Sequence, residues 1–138
     1  MNSFQKNKTF ATLLAFLVGA IGAHRFYLYG RKDLGAWLHL ASLPVCGAIM
    51  TLWPNLPFFF AIMPLTLSAL IALIEGLVLG LTPDEQWDAL HNPDTSRPSH
   101  SSWLLAILLV LIVGAGATGL IAVIARSFDL LFTGGAYG

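Results

Sequence analysis

Charge is scarce in this sequence, and the charges that are present cancel. Asp, Glu, Lys and Arg make up 10% of its 138 residues, whereas an ordinary soluble domain has about 25%, and the formal net charge is +0. Without a basic face, the chain has no feature that favours nucleic-acid binding. Hydrophobic residues make up 57%, which is more apolar surface than a soluble fold could cover. The composition therefore predicts a membrane protein.

Cysteine and catalytic motifs are scarce as well. The single cysteine, Cys46, excludes an internal disulfide framework and a multi-cysteine metal site, and we interpret it as a packing residue. The sequence has no P-loop, nucleophile elbow or dinucleotide fingerprint. His91 and His100 lie near Asp88 and Asp94, but without the tight spacing of metal ligands. We predict no enzymatic activity, no cofactor and no metal.

Apolar runs dominate the sequence instead. Four of them have few or no charges, at residues 9–23, 34–52, 58–81 and 103–125. Their lengths predict an all-α polytopic integral membrane protein with about four transmembrane helices. Thr82 and Pro83 are typical of a helix start and favour one short surface helix over 83–91.

These segments suggest a division of the chain. The expected parts are a membrane domain of three hydrophobic helices (1–81), a surface helix and polar linker (82–102), an additional transmembrane helix (103–126) and a tail (127–138). The basic lead with Lys6 and Lys8 and the small residues at 20–22 also fit a cleavable signal peptide. The equally hydrophobic remainder of the chain favours a retained first span.

The first apolar run ends in small, charged and aromatic residues: Gly19, Gly22, His24, Arg25, Phe26, Tyr27 and Leu28. Charge and aromatic rings together are typical of a bilayer boundary. The run resembles the motif of the TM-two domain family, small membrane proteins built on a hydrophobic hairpin, and the resemblance covers residues 7–81.

The resemblance has further implications. Residues 34–38 match the start of the family's second helix, and Glu75 takes the place of an Asp late in the final helix. The chain departs from the pattern at Tyr29, which is inserted before Gly30, and in a long connection between Leu43 and Leu67. Bacterial members mostly lack an assigned biochemistry, and animal members are associated with signalling and phagocytic processes. The resemblance implies an integral membrane location, which we expect to be a bacterial cytoplasmic membrane.

The alternation of successive spans predicts a polar cluster. His24 and Arg25 follow span one, His39 lies about six residues into span two, and Glu75 lies about six residues before the end of span three. At 1.5 Å per residue, both depths are about 9 Å from the same face. We expect an ion pair of Arg25 and Glu75, joined by His39, as a structural tie. A proton or ion relay, a polar ligand pocket and a pair with another subunit are the alternatives.

Small residues recur at four-residue spacing in three of the runs, which allows close helix packing. The stripes are Ala15, Gly19 and Ala23; Ala72, Gly76 and Gly80; and Ala115 with Gly119. We expect the first two stripes to pack against each other and the third to dock another chain.

These features favour a small scaffold or accessory subunit. Its partners would be the lipid bilayer and another membrane protein, or itself as a homo-oligomer. The alternatives are a small proton or ion transport unit using Glu75 and His39, and a signalling module that places the basic loop 25–32 on anionic headgroups. Four spans would divide the seven Lys and Arg residues three against four, so the charges do not set an orientation.

Overall fold

The computed structural model describes residues 4–137, and all regular secondary structure in that range is helical. This confirms the all-α fold. Residues 1–3 of the first predicted part and residue 138 of the tail lie outside the described range. The helices are α1 (Lys8–Val18), α2 (Ala23–Tyr29), α3 (Leu34–Leu52), α4 (Phe58–Ala61), α5 (Met63–Leu81), α6 (Asp84–His91) and α7 (Trp103–Thr133), with 3₁₀ turns at Gly19–Ile21 and Gly30–Lys32.

The sequence predicts about four spans. Among residues 4–137, three helices are long and apolar enough to cross a membrane: α3, α5 and α7. The first two have 19 residues each and therefore measure about 28 Å, close to the thickness of a hydrocarbon core. Helix α7 has 31 residues and measures about 46 Å. It continues past Arg126, where we expected it to end, to Thr133.

The first apolar run forms a helical hairpin. Helix α1 has 11 residues and gives way to a 3₁₀ turn, and the chain reverses at Gly22, whose φ is 79°. Helix α2 then runs back beside α1. The Tyr27 hydroxyl accepts a hydrogen bond from the Asn7 backbone N–H at 2.9 Å, and the Phe10 and Tyr27 rings meet edge to face at 5.2 Å. Both ends of the hairpin therefore lie on one side of the molecule.

Glycine makes this reversal possible. A positive φ costs little only at glycine, and a Cβ at Gly22 would lie 2.7 Å from the Ala36 carbonyl oxygen. The same run of small residues would also suit a continuous helix. For this reason the sequence pattern predicts a span where the structure has a turn.

The hairpin packs against α5 through the first two stripes of small residues. A Cβ at Gly19 would lie 2.6 Å from the Ala72 Cβ, and one at Gly76 would lie 3.1 Å from the Ala15 Cβ. Because these positions are small, the backbones approach closely. The hairpin thus packs closely along α5.

Two faces follow from this arrangement. The end of the molecule that holds Lys6, Tyr29, Leu34, Leu81 and Trp103 is called the N-terminal face below. The opposite end, with Trp53, Phe58 and Thr133, is the C-terminal face. Helices α3 and α7 run from the first face to the second, and α5 runs back.

Helix α6 closes the N-terminal face over the hairpin. Trp87 is fully buried against Ala11 and Leu28, and its indole N–H donates to the Lys6 carbonyl at 3.1 Å. The Lys8 ammonium donates to the Asp84 carboxylate, and this bond is the main reason that the pKa of Asp84 falls to about 2. The start of α1 is therefore fastened to the start of α6.

Candidate functional site

Ionisable side chains meet at Glu75 on α5. The polar cluster, as we name it, consists of His24, Arg25, Asp33, His39, Ser68 and Glu75. Helix α2 supplies the first two, α3 and its N-cap supply Asp33 and His39, and α5 supplies Ser68 and Glu75. The three residues that spacing predicted beside Glu75, namely His24, Arg25 and His39, are all in contact with it.

Glu75 is the centre of the polar cluster. Its Oε1 atom accepts from Arg25 Nη1 at 2.5 Å, and its Oε2 atom lies 2.6 Å from His24 Nε2 and 3.1 Å from His39 Nε2. The Arg25 and Glu75 side chains are 25% and 26% exposed. A carboxylate at this depth needs such partners because an unpaired charge is costly in an apolar medium.

Asp33 is the second carboxylate that binds Arg25. Its carboxylate accepts from Arg25 Nε at 2.7 Å and Nη2 at 3.2 Å, and also caps α3 by accepting from the Ala36 backbone N–H at 2.7 Å. The Arg25 guanidinium holds the pKa of Asp33 below its usual range. A Cβ at residue 35 would overlap Arg25 Nε, so a larger residue there would displace the guanidinium.

Ser68 orients His39 from the other side. His39 Nδ1 lies 2.6 Å from Ser68 Oγ, and that oxygen lies 2.6 Å from the Ala20 carbonyl oxygen in the tip of the hairpin. The His39 carbonyl accepts from Ser42 Oγ at 2.7 Å. The imidazole is buried and fixed at both ends.

His24 is the most deeply buried member of the polar cluster, with 1% of its surface exposed. Its Nε2 faces Glu75, but its Nδ1 is buried with no hydrogen-bond partner among residues 4–137. Its ring meets that of His39 edge to face at 5.7 Å. The two imidazoles therefore approach the same carboxylate oxygen from different helices.

A groove between α3 and α5 leads to the polar cluster. Its volume is about 480 Å³. Its polar lining consists of Arg25, His39, Ser68 and Glu75. The rest of the wall is largely apolar and includes Leu38 and Ile71. The polar cluster is thus reachable from the side of the molecule rather than sealed on every face.

The donor set His24, His39 and Glu75 could attract a metal ion, since these residues offer ligand atoms within 4.8 Å of one another. The 2.6 Å separation of His24 Nε2 and Glu75 Oε2 is a hydrogen-bond distance. Two ligands on one zinc ion stand about 3.3 Å apart at normal bond lengths, so the side chains would have to spread. The arrangement is better suited to sharing protons. His91, away from the polar cluster, packs on Trp87 at 4.3 Å.

Asp33 and Ser68 were missed by reasoning from sequence alone, although both carried a signal. Asp33 directly precedes an apolar run, which is the position of an N-cap. Ser68 lies seven residues before Glu75, two helical turns along the same face of α5. Neither signal identifies the hydrogen-bond partner until the neighbouring helix is known.

The family model for the TM2 domain matches residues 5–59. Residues 5–59 form a TM2 domain. A search of curated proteins and a search of solved structures each gave no significant match. The TM2 domain and the three long apolar helices identify an integral membrane protein.

The TM2 domain contains the hairpin and α3, and so supplies His24, Arg25, Asp33 and His39. Ser68 and Glu75 lie beyond the matched residues. The polar cluster is therefore assembled between the TM2 domain and the next helix along the chain. The predicted domain boundary at residue 81 stays a prediction.

Proposed function

We propose that this protein is a non-enzymatic scaffold or accessory subunit, and that α7 docks a transmembrane helix of a partner membrane protein. The observation that carries the proposal is the one-sided packing of α7. The buried residues of this helix are Leu105, Leu108 and Ile112, all in its first third. The TM2 domain family is not a known enzyme family, which fits a role in assembly.

Within residues 4–137, α7 packs against the rest of the chain on one side. Positions 105, 109, 112, 116 and 119 follow α5, and a Cβ at Gly119 would lie 3.5 Å from Leu70. Gly119 is therefore used inside the molecule, although we expected it to dock another chain. Ala115, the other member of that stripe, is exposed.

A different stripe is open on α7. Gly114, Thr118 and Ala122 follow at four-residue spacing, and a Cβ at Gly114 would meet nothing within 4 Å. Thr118 and Ala122 are exposed as well. Lipid-facing helix surfaces are usually bulky, whereas small residues let a second backbone approach. The stripe therefore suits a helix better than acyl chains.

Photocrosslinking in the native membrane tests this proposal. A photoreactive amino acid at Ala122 should give one crosslinked product with a second membrane protein. The matched control is Ile124, which is exposed at the same depth roughly 160° round the helix and should give no such product. Gly114→Leu should abolish the Ala122 product, while Val113→Leu should leave it unchanged.

Other outcomes would overturn the partner proposal. A product that contains only a second copy of this chain would make it a homo-oligomer. Equal crosslinking from Ala122 and Ile124, or adducts with lipid alone, would mean that the stripe faces the bilayer. A protein captured equally by Gly114→Leu would not be bound through this surface.

A second candidate function is proton or ion transport through Glu75 and His39. The groove between α3 and α5 favours it, because both residues line that groove. Proteoliposomes with the purified protein should then carry a proton or ion flux that Glu75→Gln abolishes. The same preparation with Glu85→Gln, outside the polar cluster, should retain the flux. An absence of flux in the unmodified protein would reject this candidate.

A further inference from the structure

We infer that the polar cluster binds one extra proton, shared between His39 Nε2 and Glu75 Oε2, beyond those of an ionised Glu75 and two neutral histidines. This inference is independent of the docking proposed for α7. It rests on the hydrogen-bond directions around His39 and on the charges beside it.

Ser68 fixes the position of one proton on His39. The Ser68 hydroxyl has a single hydrogen. Its Oγ atom lies 2.6 Å from both the Ala20 carbonyl oxygen and His39 Nδ1. A carbonyl oxygen can only accept, so the hydroxyl donates to Ala20. His39 Nδ1 must then carry a hydrogen and donate to Ser68.

The other nitrogen of His39 consequently needs a second hydrogen. A neutral imidazole protonated at Nδ1 has a lone pair at Nε2, and here that atom lies 3.1 Å from Glu75 Oε2. Two acceptors would face each other at hydrogen-bond distance in a largely buried site. A proton between them, on His39 or on Glu75, removes the conflict.

His24 cannot provide this proton. Its Nε2 lies 2.6 Å from the same oxygen and needs its own hydrogen to donate there. With that hydrogen on Nε2, the buried and unpartnered Nδ1 is a bare lone pair. A second proton on His24 would instead bury an N–H with no acceptor, which is the more costly arrangement.

The charges of the side chains also indicate one extra proton in the polar cluster. Arg25 contributes one positive charge, and Asp33 and Glu75 contribute two negative charges, so the polar cluster with neutral histidines carries one net negative charge. The charged or titratable groups that face His39 are Glu75 from α5 and His24 and Arg25 from α2. One bound proton makes the cluster neutral, which is the least costly state in an apolar environment.

A divalent cation fits between His39 and Glu75 less well than a proton does. The Arg25 guanidinium already contacts the other oxygen of Glu75. A histidine that binds a metal usually donates its second N–H to an acceptor, and His24 Nδ1 has none in the part of the chain that the structure describes. The proton fits the hydrogen bonds as they stand.

Nitrogen NMR of histidine in the full chain, held in lipid nanodiscs at neutral pH, tests the inference. Nitrogen shifts distinguish the imidazolium from each neutral tautomer. His91→Gln and His100→Gln remove the two outlying signals without altering the polar cluster. The expected result is one histidine neutral with hydrogen on Nε2, together with either a second histidine as imidazolium or a protonated Glu75 carboxyl seen by carbon NMR. Two neutral histidines with an ionised Glu75 would overturn the inference.

Two further arms test the charge count and the identity of the occupant. Asp33→Asn removes one negative charge without replacing His39 or Glu75, and should release the shared proton at neutral pH. Asp94→Asn, in the exposed linker, should leave it bound. Retention in both variants would overturn the argument from charge. One equivalent of zinc should not alter the histidine signals, and a stoichiometric change would make the occupant a metal ion instead.

Discussion

Arg25 is the residue whose role is most open to direct test, because it pairs with two carboxylates. It bonds Glu75 on one side and Asp33 on the other. Arg25→Gln leaves both carboxylates without their cation, so we expect a loss of about 3 kcal/mol in the free energy of unfolding, as for other largely buried pairs deprived of one partner. Thermal and denaturant unfolding in detergent would measure this loss.

Arg31→Gln is the matched control for that experiment. Arg31 is exposed near the same face, and its replacement should change the stability by less than about 0.5 kcal/mol. Glu75→Gln should destabilise as well, since it leaves the Arg25 charge partly unpaired. Equal stability of all three variants would show that the polar cluster is not a structural tie.

The membership of the polar cluster was predictable only in part. His24, Arg25, His39 and Glu75 interrupt apolar runs, and their distances from the run ends place them at one depth. Asp33 and Ser68 are polar residues of kinds common at helix ends and within membrane helices, so their positions alone do not assign them to the polar cluster before their partners are known. The directions of the hydrogen bonds, on which the extra proton depends, require coordinates.

At the scale of elements, the hairpin depends on the backbone conformation of Gly22. We predict that Gly22→Ala costs about 3 kcal/mol, because it combines a positive φ with overlap on the Ala36 carbonyl. Gly30→Ala keeps backbone strain but removes the overlap: its φ of 76° and ψ of −166° lie in a region that essentially only glycine adopts, and its surroundings are open, so about 2 kcal/mol is expected. Gly47→Ala in α3, with open space around a helical residue, should be neutral or slightly stabilising. Unfolding of the three variants side by side would show this order, and equal effects would argue against the hairpin.

The elements also show where sequence periodicity stops being informative. Helices α3 and α5 also contain glycines, among them Gly47 and Gly76, but the backbone stays helical there. The bounds of these helices follow from the apolar runs and the flanking Trp53 and Thr82. In the first run, Gly19 and Gly22 fit either a helix-packing stripe or a turn, and only the contact with Ala36 and Ala72 decides between them. In α7, the pair of Arg126 and Asp129 at i,i+3 continues the helix to Thr133.

At the scale of the whole molecule, the hairpin changes the distribution of charge. Because the hairpin returns to the face at which it begins, Lys6 and Lys8 lie on the same face as Arg25, Arg31, Lys32 and Arg97. Six of the seven basic residues of the sequence are then on the N-terminal face, and Arg126 lies toward the other. Four spans would have divided them almost evenly. By the positive-inside rule, the N-terminal face should be cytoplasmic.

Thiol labelling of intact cells tests this topology in a Cys46→Ala background. All four test positions, Phe4, Ser96, Asn55 and Tyr137, are exposed. We expect single cysteines at Phe4 and Ser96 to be protected from a membrane-impermeant reagent until the cells are opened. Single cysteines at Asn55 and Tyr137, on the C-terminal face, should react at once. The position at Phe4 is decisive. Four spans would place it with Asn55, whereas the hairpin places it with Ser96, so labelling of Phe4→Cys together with Asn55→Cys would reject three spans. Labelling of Phe4→Cys and Ser96→Cys alone would keep the hairpin and reverse the orientation, which would mean that the six basic residues do not determine how the chain inserts.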